Sequence, residues 1–328
     1  MTDATPDRIF QLATGFMAAK HLFIASEVGV FTALADGPAP LDAMVTATGI
    51  ARPRLRILAD AMVSVGLLER DGDIYRNGPV AAAFLGGRGP ADLRPFLRFW
   101  NHVSYPLWMG LEETVRTGRA QHGAALPEEQ ERIYLQGVEA LMAGPAAALA
   151  AGYEFGQHRR LLDLGGGVGA WTRAILRAHE HLDATLVDLP EGADLARQRL
   201  NSDPAARRAD VVGANFFVDD IPAGHDVVLI ANVIHLYSPG HNQDLLRRLR
   251  SRVPDGARLL LADWWTDPSH TDPALSALIA GEFLLFSGEG DVYSEDEGRE
   301  WLRHTGWRPL ERRPLTGAVS VLIAEAAV

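Results

Sequence analysis

Cysteine is absent from this chain of 328 residues, and lysine occurs once, at Lys20. The first absence excludes disulfides, thiolate metal sites and thiol nucleophiles. The second excludes lysine chemistry near the glycine-rich loop described below. Positive charge is in deficit, with 31 Lys and Arg against 42 Asp and Glu and a net charge of −11. A nucleic-acid partner is therefore not expected, because such binding depends on neutralising phosphates. No uninterrupted apolar run reaches the roughly 18 residues that a membrane span needs, and the alanine-rich stretch at 146–151 is too short. The opening MTDATPDRIF lacks the basic-then-apolar order of a secretory signal. The expectations are no membrane partner and a cytoplasmic location. A hydrophobic content of 47% is ample for packed cores, and the length allows about two domains.

Residues 161–171, LDLGGGVGAWT, are the most informative stretch. A short apolar strand runs into Gly165, Gly166, Gly167 and Gly169, and an amphipathic helical pattern follows through Trp171, Ala174, Ile175 and Ala178. Glycine lets such a turn be tight and lets a ligand approach the backbone, while the helix start points unpaired N–H groups forward. Two cofactors fit this shape. Gly165, Gly167 and Ala170 satisfy a G-x-G-x-x-A dinucleotide pattern, with Asp188 at the expected distance. Asp163 favours the other reading, because a carboxylate there repels a pyrophosphate and suits a ligand carrying an ammonium group and a sulfonium.

Further strand candidates follow, each ending on a polar residue. They are ATLVDLP (184–190) closing on Asp188, VVGANFF (211–217) on Asn215, HDVVLIANVIHLY (225–237) on Asn232 and His235, and ARLLLADWW (257–265) on Asp263. In open parallel sheets, ligands bind at the carboxyl ends of the strands. Residues 307–326 read as a closing antiparallel hairpin around Thr316-Gly317.

The first hundred residues read differently. A long apolar helical pattern over 7–35 precedes two short helices (41–49, 53–66) and a hairpin around Asp71-Gly72. Helix, turn, helix and wing make a winged helix. Arg52, Arg54 and Arg56 raise a DNA-binding reading, but acidic residues slightly outnumber basic ones over 1–95. A dimerisation scaffold fits that balance better, and the apolar first helix needs a partner surface.

Taken together, D-x-G-x-G-x-G from Asp163 to Gly169, Val187-Asp188-Leu189-Pro190, Ala214-Asn215-Phe216-Phe217 and Ile234-His235-Leu236-Tyr237 resemble the class I S-adenosylmethionine-dependent small-molecule O-methyltransferases, over almost the whole chain. The resemblance implies an α/β fold, a Rossmann-like methyltransferase sheet that is mostly parallel with a terminal antiparallel hairpin, plus an N-terminal winged-helix dimerisation domain. It implies domains at 1–95, 96–155 (a helical connector) and 156–328, and a homodimer through the first. It implies S-adenosylmethionine as cofactor, held by Asp163, Gly165, Gly167, Gly169, Asp188, Leu189, Asn215, Phe216 and Asn232. It implies His235 as general base towards a small aromatic acceptor, with Asp263 as orienting acid and Asp291, loosely aligned, as a second one. Asn215 stands where the family carries an acid, and the acid that follows the histidine is missing.

The aromatic stretch 96–111 offers Trp100, His102, Tyr105 and Trp108 to the acceptor pocket, and 278–293 offers Phe283 and Phe286, with a mobile loop at Gly288/Gly290. An apolar aromatic lining suits a flat hydrophobic acceptor. Arg94 and Arg98 are alternative anchors for an acidic one. No metal is expected. Of the available ligands His225, Asp226, His235 and His241, the first two start a strand that His235 follows, so they lie at the wrong edge. C-methylation of an α-keto acid or enol, metal-assisted or not, and an NAD-dependent oxidoreductase are the competing chemistries.

Overall fold

The computed structural model describes residues 5–89, 91–121 and 126–327. The chain forms two compact units, Met1–Pro106 with Pro127–Leu141, and Leu107–Leu126 with Met142–Val328. The connector region 96–155 is divided between them.

In the first unit the expected long helix is interrupted. It runs Asp7–Glu27, and Gly29 at φ 82° turns the chain into a separate turn of helix, Val30–Ala33. Helices Leu41–Thr48 and Arg52–Ser64 follow, the first ending on Gly49 at φ 70°. The wing is the hairpin Leu68–Asp71 with Ile74–Asn77, Leu68 opposite Asn77, and Ala39–Pro40 adds a third strand. Phe23, Phe31, Leu41, Met44, Leu55, Met62, Leu68 and Tyr75 form the core, each side chain stabilising the fold by roughly 1.5–3 kcal/mol. Arg52 pairs with Asp42 and Asp73, and Arg56 with Asp60. Two of the three arginines raised for DNA binding are thus turned onto carboxylates of their own unit.

Asp7–Glu27 and Glu128–Gly152 are long and apolar enough to cross a membrane by length and composition. Polar residues interrupt both, so neither forms an uninterrupted apolar run. The helices of globular cores meet the same test. The outward face of Asp7–Glu27 exposes Ile9, Phe10, Leu12, Phe16 and Met17.

The second unit is built on a seven-stranded sheet, numbered here β1 (Arg160–Leu164), β2 (Asp183–Asp188), β3 (Ala209–Gly213), β4 (Val227–Ala231), β5 (Arg258–Trp264), β6 (Trp307–Pro314) and β7 (Val319–Ala326). Their spatial order is β3-β2-β1-β4-β5-β7-β6. The first five are parallel, and β7 runs antiparallel to both β5 and β6. β7 is buried along nearly its whole length, whereas β6 carries Pro309, Pro314 and three arginines and forms the edge, where proline and charge prevent further strand addition. The core beneath combines Leu162, Leu164, Val187, Val228, Ile230, Leu259, Leu261, Trp265 and Leu322.

Candidate active site

Strand β1 delivers its chain into a loop whose conformation requires glycine. Gly165, Gly167 and Gly169 adopt φ of 77°, 52° and 80°, a region that L side chains rarely enter. A Cβ at Gly165 would lie 2.5 Å from Val233 Cγ2, whereas at Gly167 nothing lies within 4 Å. The loop is therefore packed on one side and open on the other. Hydrogen bonds from Gly165 N–H to Val187 O (2.8 Å) and from Gly169 N–H to Gly166 O (2.9 Å) hold it rigid.

Asp163 is fully buried. Its Oδ2 accepts the Thr172 hydroxyl at 2.5 Å, and its Oδ1 is a buried oxygen without a hydrogen-bond partner. Desolvation pushes the carboxyl up to about 7, with the charge of Asp188 adding to the effect and the Thr172 hydrogen bond opposing it. Asp188, at the end of β2, accepts the Gly167 N–H at 2.7 Å and the Leu189 N–H at 2.8 Å. Burial raises it too, against those two N–H donors.

Beyond β3, which ends at Gly213 rather than running on to Phe217, Asn215 makes an Asx turn. Its Oδ1 accepts the Phe217 N–H at 3.0 Å, and its own N–H donates to Asp219 at 2.9 Å. One lone pair of the amide oxygen anticipated as a ligand acceptor is already engaged. Phe216 is buried in the core, and Leu189 is 49% exposed.

The expected strand over 225–237 ends at Ala231. Asn232 takes φ 58°, a left-handed conformation that asparagine tolerates, and leads to a tight helical turn at Ile234–Leu236. Neither amide atom of Asn232 has a partner although both are buried. Buried Asn242 holds the turn, donating to Ile234 O at 2.8 Å and Tyr237 O at 3.0 Å.

This turn carries His235, 6% exposed, onto the end of β5, where Nδ1 lies 2.6 Å from Asp263 Oδ1. Asp263, 1% exposed, also accepts the Trp264 N–H at 2.8 Å. A carboxylate at Nδ1 assigns the ring proton to that nitrogen and leaves Nε2 as the basic one. The ring of Phe283 stacks on the imidazole with centroids 3.6 Å apart and 15° between planes. Asp291 meets His235 through its backbone, its N–H donating to the His235 carbonyl at 3.0 Å. Its own Oδ1 takes the Val292 N–H at 2.7 Å.

Helix Ala274–Ser287 supplies Phe283 and Phe286 and ends on Gly288 at φ 78°. It also carries Glu282, a buried carboxylate that accepts Trp108 Nε1–H at 2.5 Å. Sequence reasoning missed Glu282, although a single acid within LIAGEFLLF was a signal. It missed Thr172 and Asn242 as well. A cleft of about 720 Å³ is lined by Phe217, Tyr237, His241, Asp244, Arg247, Arg248 and Glu289. The Tyr237 hydroxyl is raised by burial first and then by the charges of Asp188 and Glu289.

The other proposed pocket residues belong to the first unit, on a wide π-helical turn at Trp100–Ser104 and the helix after it. Trp100 packs on Phe96 and Phe99, His102 lies 3.6 Å from Glu27, and Tyr105 lies under Lys20 Nζ, 4.2 Å from the ring centroid. Among the described residues no three metal-binding side chains gather. His225 Nε2 bonds Thr185 Oγ1 at 3.0 Å, and Asp226 accepts two backbone N–H groups at the start of β1.

The sequence model of the O-methyltransferase domain matches residues 108–308, and that of the O-methyltransferase dimerisation domain matches 10–87. Tetracenomycin polyketide synthesis 8-O-methyl transferase of Streptomyces glaucescens is 31% identical over 326 residues, spanning 97% of this chain and 96% of its own. The 3-hydroxy-5-methyl-1-naphthoate 3-O-methyltransferase of Streptomyces sahachiroi is 32% identical over 308 residues, spanning 92% and 89%. The crystal structure of human N-acetylserotonin methyltransferase in complex with SAM shares the fold, with a TM-score of 0.89 at 24% identity over 100% of this chain and 99% of that one.

Proposed function

Because this chain belongs to the O-methyltransferase family, with both its catalytic and its dimerisation domains matched, we propose that it transfers the methyl group of S-adenosylmethionine to a hydroxyl of a small fused-ring aromatic natural product, as a homodimer, with His235 as general base. The observation that carries this reading is the buried His235–Asp263 pair, 2.6 Å apart and one strand away from the glycine loop of β1. The donor, when bound, supplies an electrophilic methyl on a positively charged sulfur. The residues present suit it. The unpartnered Oδ1 of Asp163 and the unpartnered amide of Asn232 are buried polar atoms awaiting hydrogen bonds, and Gly167 leaves open space at the loop. Asp163 takes the ammonium group, Asp188 the ribose hydroxyls, and Leu189, Asn215 and Phe216 the adenine.

An aromatic hydroxyl with a pKa near 10 is mostly protonated at neutral pH, while imidazole titrates near 6.5. His235 Nε2 would take that proton as the hydroxyl oxygen attacks, and the donor, when bound, would give up its methyl by breaking its carbon–sulfur bond and leave as the neutral thioether. Asp263 keeps the other nitrogen protonated and stabilises the imidazolium that results. The Phe283 ring covers the face of the imidazole and excludes water from it. The two bacterial relatives are named for methylating a tetracenomycin polyketide and a hydroxynaphthoate, and the Phe283 ring on the imidazole offers an aromatic surface that suits such an acceptor. The exposed Ile9, Phe10, Leu12, Phe16 and Met17 suit pairing with a second copy.

Calorimetry with S-adenosylhomocysteine and NAD(H) tests the cofactor, and transfer of labelled methyl to a panel of phenols tests the acceptor. The expected result is micromolar binding of the adenosyl ligand, none of NAD, and a product whose methyl resonates as an aryl ether. NAD binding alone, or a methyl on carbon, overturns the reading.

A further inference from the structure

We infer that Tyr293 is a positioning residue, a strut that fixes the base His235 against its acid Asp263. The inference rests on the reading of His235 as the base. The two partners come from separate segments: Asp263 sits in β5, whereas His235 stands on the short turn Ile234–Leu236 beyond β4. That turn closes on itself through backbone bonds from Leu236 N–H to Val233 O at 3.0 Å and from Tyr237 N–H to Ile234 O at 3.3 Å. So tight a helical turn has poor hydrogen-bond geometry, and its hold on the imidazole depends on its neighbours.

Tyr293 is fastened at both ends. Its backbone carbonyl accepts the Thr266 N–H at 3.0 Å, just beyond Asp263 on the same segment. Its hydroxyl donates to the Tyr237 carbonyl at 2.5 Å, just beyond His235. Between these ends the ring is 4% exposed and meets Trp301 edge-on, with centroids 4.6 Å apart and planes at 74°. A ring so enclosed cannot swing, and its length sets the distance from the end of β5 to the turn. Burial first, and then the charges of Asp291, Glu289, Glu297 and Asp263, push the hydroxyl up, so it stays a donor at neutral pH. Asn242 completes the grip, since its Nδ2 donates to the same Tyr237 carbonyl at 3.0 Å and to the Ile234 carbonyl at 2.8 Å. A carbonyl oxygen has two lone pairs, and on Tyr237 these two donors take both. The imidazole–carboxylate bond that spans the two segments is 2.6 Å long. Bonds that short depend on alignment, so a shift of the turn is felt there first.

The test compares full-length Tyr293→Phe and Asn242→Ala with Tyr75→Phe, a control in the first unit whose buried ring likewise loses one hydroxyl bond, to Asp60 at 2.7 Å. Phenylalanine at 293 keeps the ring on Trp301 and removes only the donor. Labelled S-adenosylmethionine with 1-naphthol, 2-naphthol and 1-hydroxyanthraquinone reports turnover. The downfield His235 Nδ1–H resonance, identified by its loss in His235→Ala, reports the pair directly. Expected in Tyr293→Phe is a kcat lower by about 10- to 100-fold, with KM and the affinity for S-adenosylhomocysteine within about threefold of wild type. Asn242→Ala falls at least as far, and the double variant falls short of the product of the single losses, because both donors serve one carbonyl. The Nδ1–H resonance moves upfield in both single variants and stays in place in Tyr75→Phe, whose kcat is unchanged. An unmoved resonance in Tyr293→Phe and Asn242→Ala overturns the strut. So does a fall in kcat that is matched by the loss of S-adenosylhomocysteine affinity or by Tyr75→Phe, which marks a merely structural contact. Wild-type protein that methylates none of the three acceptors overturns the reading of His235 as the base, while the resonance, which needs no turnover, still decides the strut.

Discussion

Asp163→Asn separates the electrostatics of the cofactor loop from its shape. The amide keeps an oxygen for the Thr172 hydroxyl, which now reaches Oδ2 at 2.5 Å, but it cannot ionise. In the folded chain burial moves the carboxyl from 3.8 to about 7. Between those values the unfolded chain has lost the proton and the folded one has kept it, so wild-type stability falls as pH rises through this window and levels off above it. At about 1.36 kcal/mol per pH unit the whole loss is about 4 kcal/mol. Asp163 lies wholly out of solvent, so screening does not reduce the figure. Urea unfolding at half-unit steps from pH 4 to 8 should show the variant gaining on wild type by about that amount. The ammonium group of the donor reverses the preference, since it favours the ionised carboxylate. Wild-type affinity for S-adenosylhomocysteine should therefore strengthen as pH rises towards 7, with proton release on binding, whereas the variant binds more weakly and without that pH dependence. Parallel stability profiles for the two proteins would refute the assignment of the buried charge. Equal affinities at pH 8 would refute the role of Asp163 towards the ammonium group.

Three further outcomes are expected. His235→Ala should lower kcat by about 10²–10⁴ while calorimetry finds the affinity for S-adenosylhomocysteine nearly unchanged; full activity would leave positioning alone as the source of rate. Gly290→Ala would set a Cβ 2.6 Å from the His235 carbonyl oxygen and 2.7 Å from that of Phe283, which should cost about 1–3 kcal/mol in thermal or urea unfolding and about 10²-fold in kcat through the displaced base. A variant as active and stable as wild type would show that the contact yields freely. Phe16→Asp, on a helix whose Phe16 is 52% exposed, should weaken self-association about 10²-fold or more, read by sedimentation velocity, without altering the unfolding of the second unit; an unshifted dimer would place the interface elsewhere.

The glycine loop, the winged helix and the closing hairpin were legible because each depends on local chemistry. Positive φ demands glycine at 165, 167 and 169, Gly72 at φ 57° lies in the wing turn, and Gly317 at φ 63° in the last hairpin. Where strand β4 ends was not legible. Its apolar run continues into a turn that is itself buried, so hydropathy does not register the bend at Asn232. The break after Glu27 was obscured in the same way, because Val30 and Phe31 continue the apolar pattern into the core. The partnership of His235 with Asp263 could be anticipated, since both end adjacent strands. The orientation of Asp291 could not, because a backbone N–H rather than its side chain meets the histidine. Glu282 and Trp108 are separated by 174 residues, and no local pattern links them.

The hydrogen bond from the Asp291 N–H to the His235 carbonyl ties the segment after helix Ala274–Ser287 to the backbone of the turn that carries the imidazole. Gly290 seals the same junction, since its missing side chain is what lets the strand of peptide lie against the carbonyls of both His235 and Phe283. Any displacement of this strap therefore also releases the turn on which the imidazole stands. The packing of this strap and the placing of the imidazole are then one property of the fold rather than two.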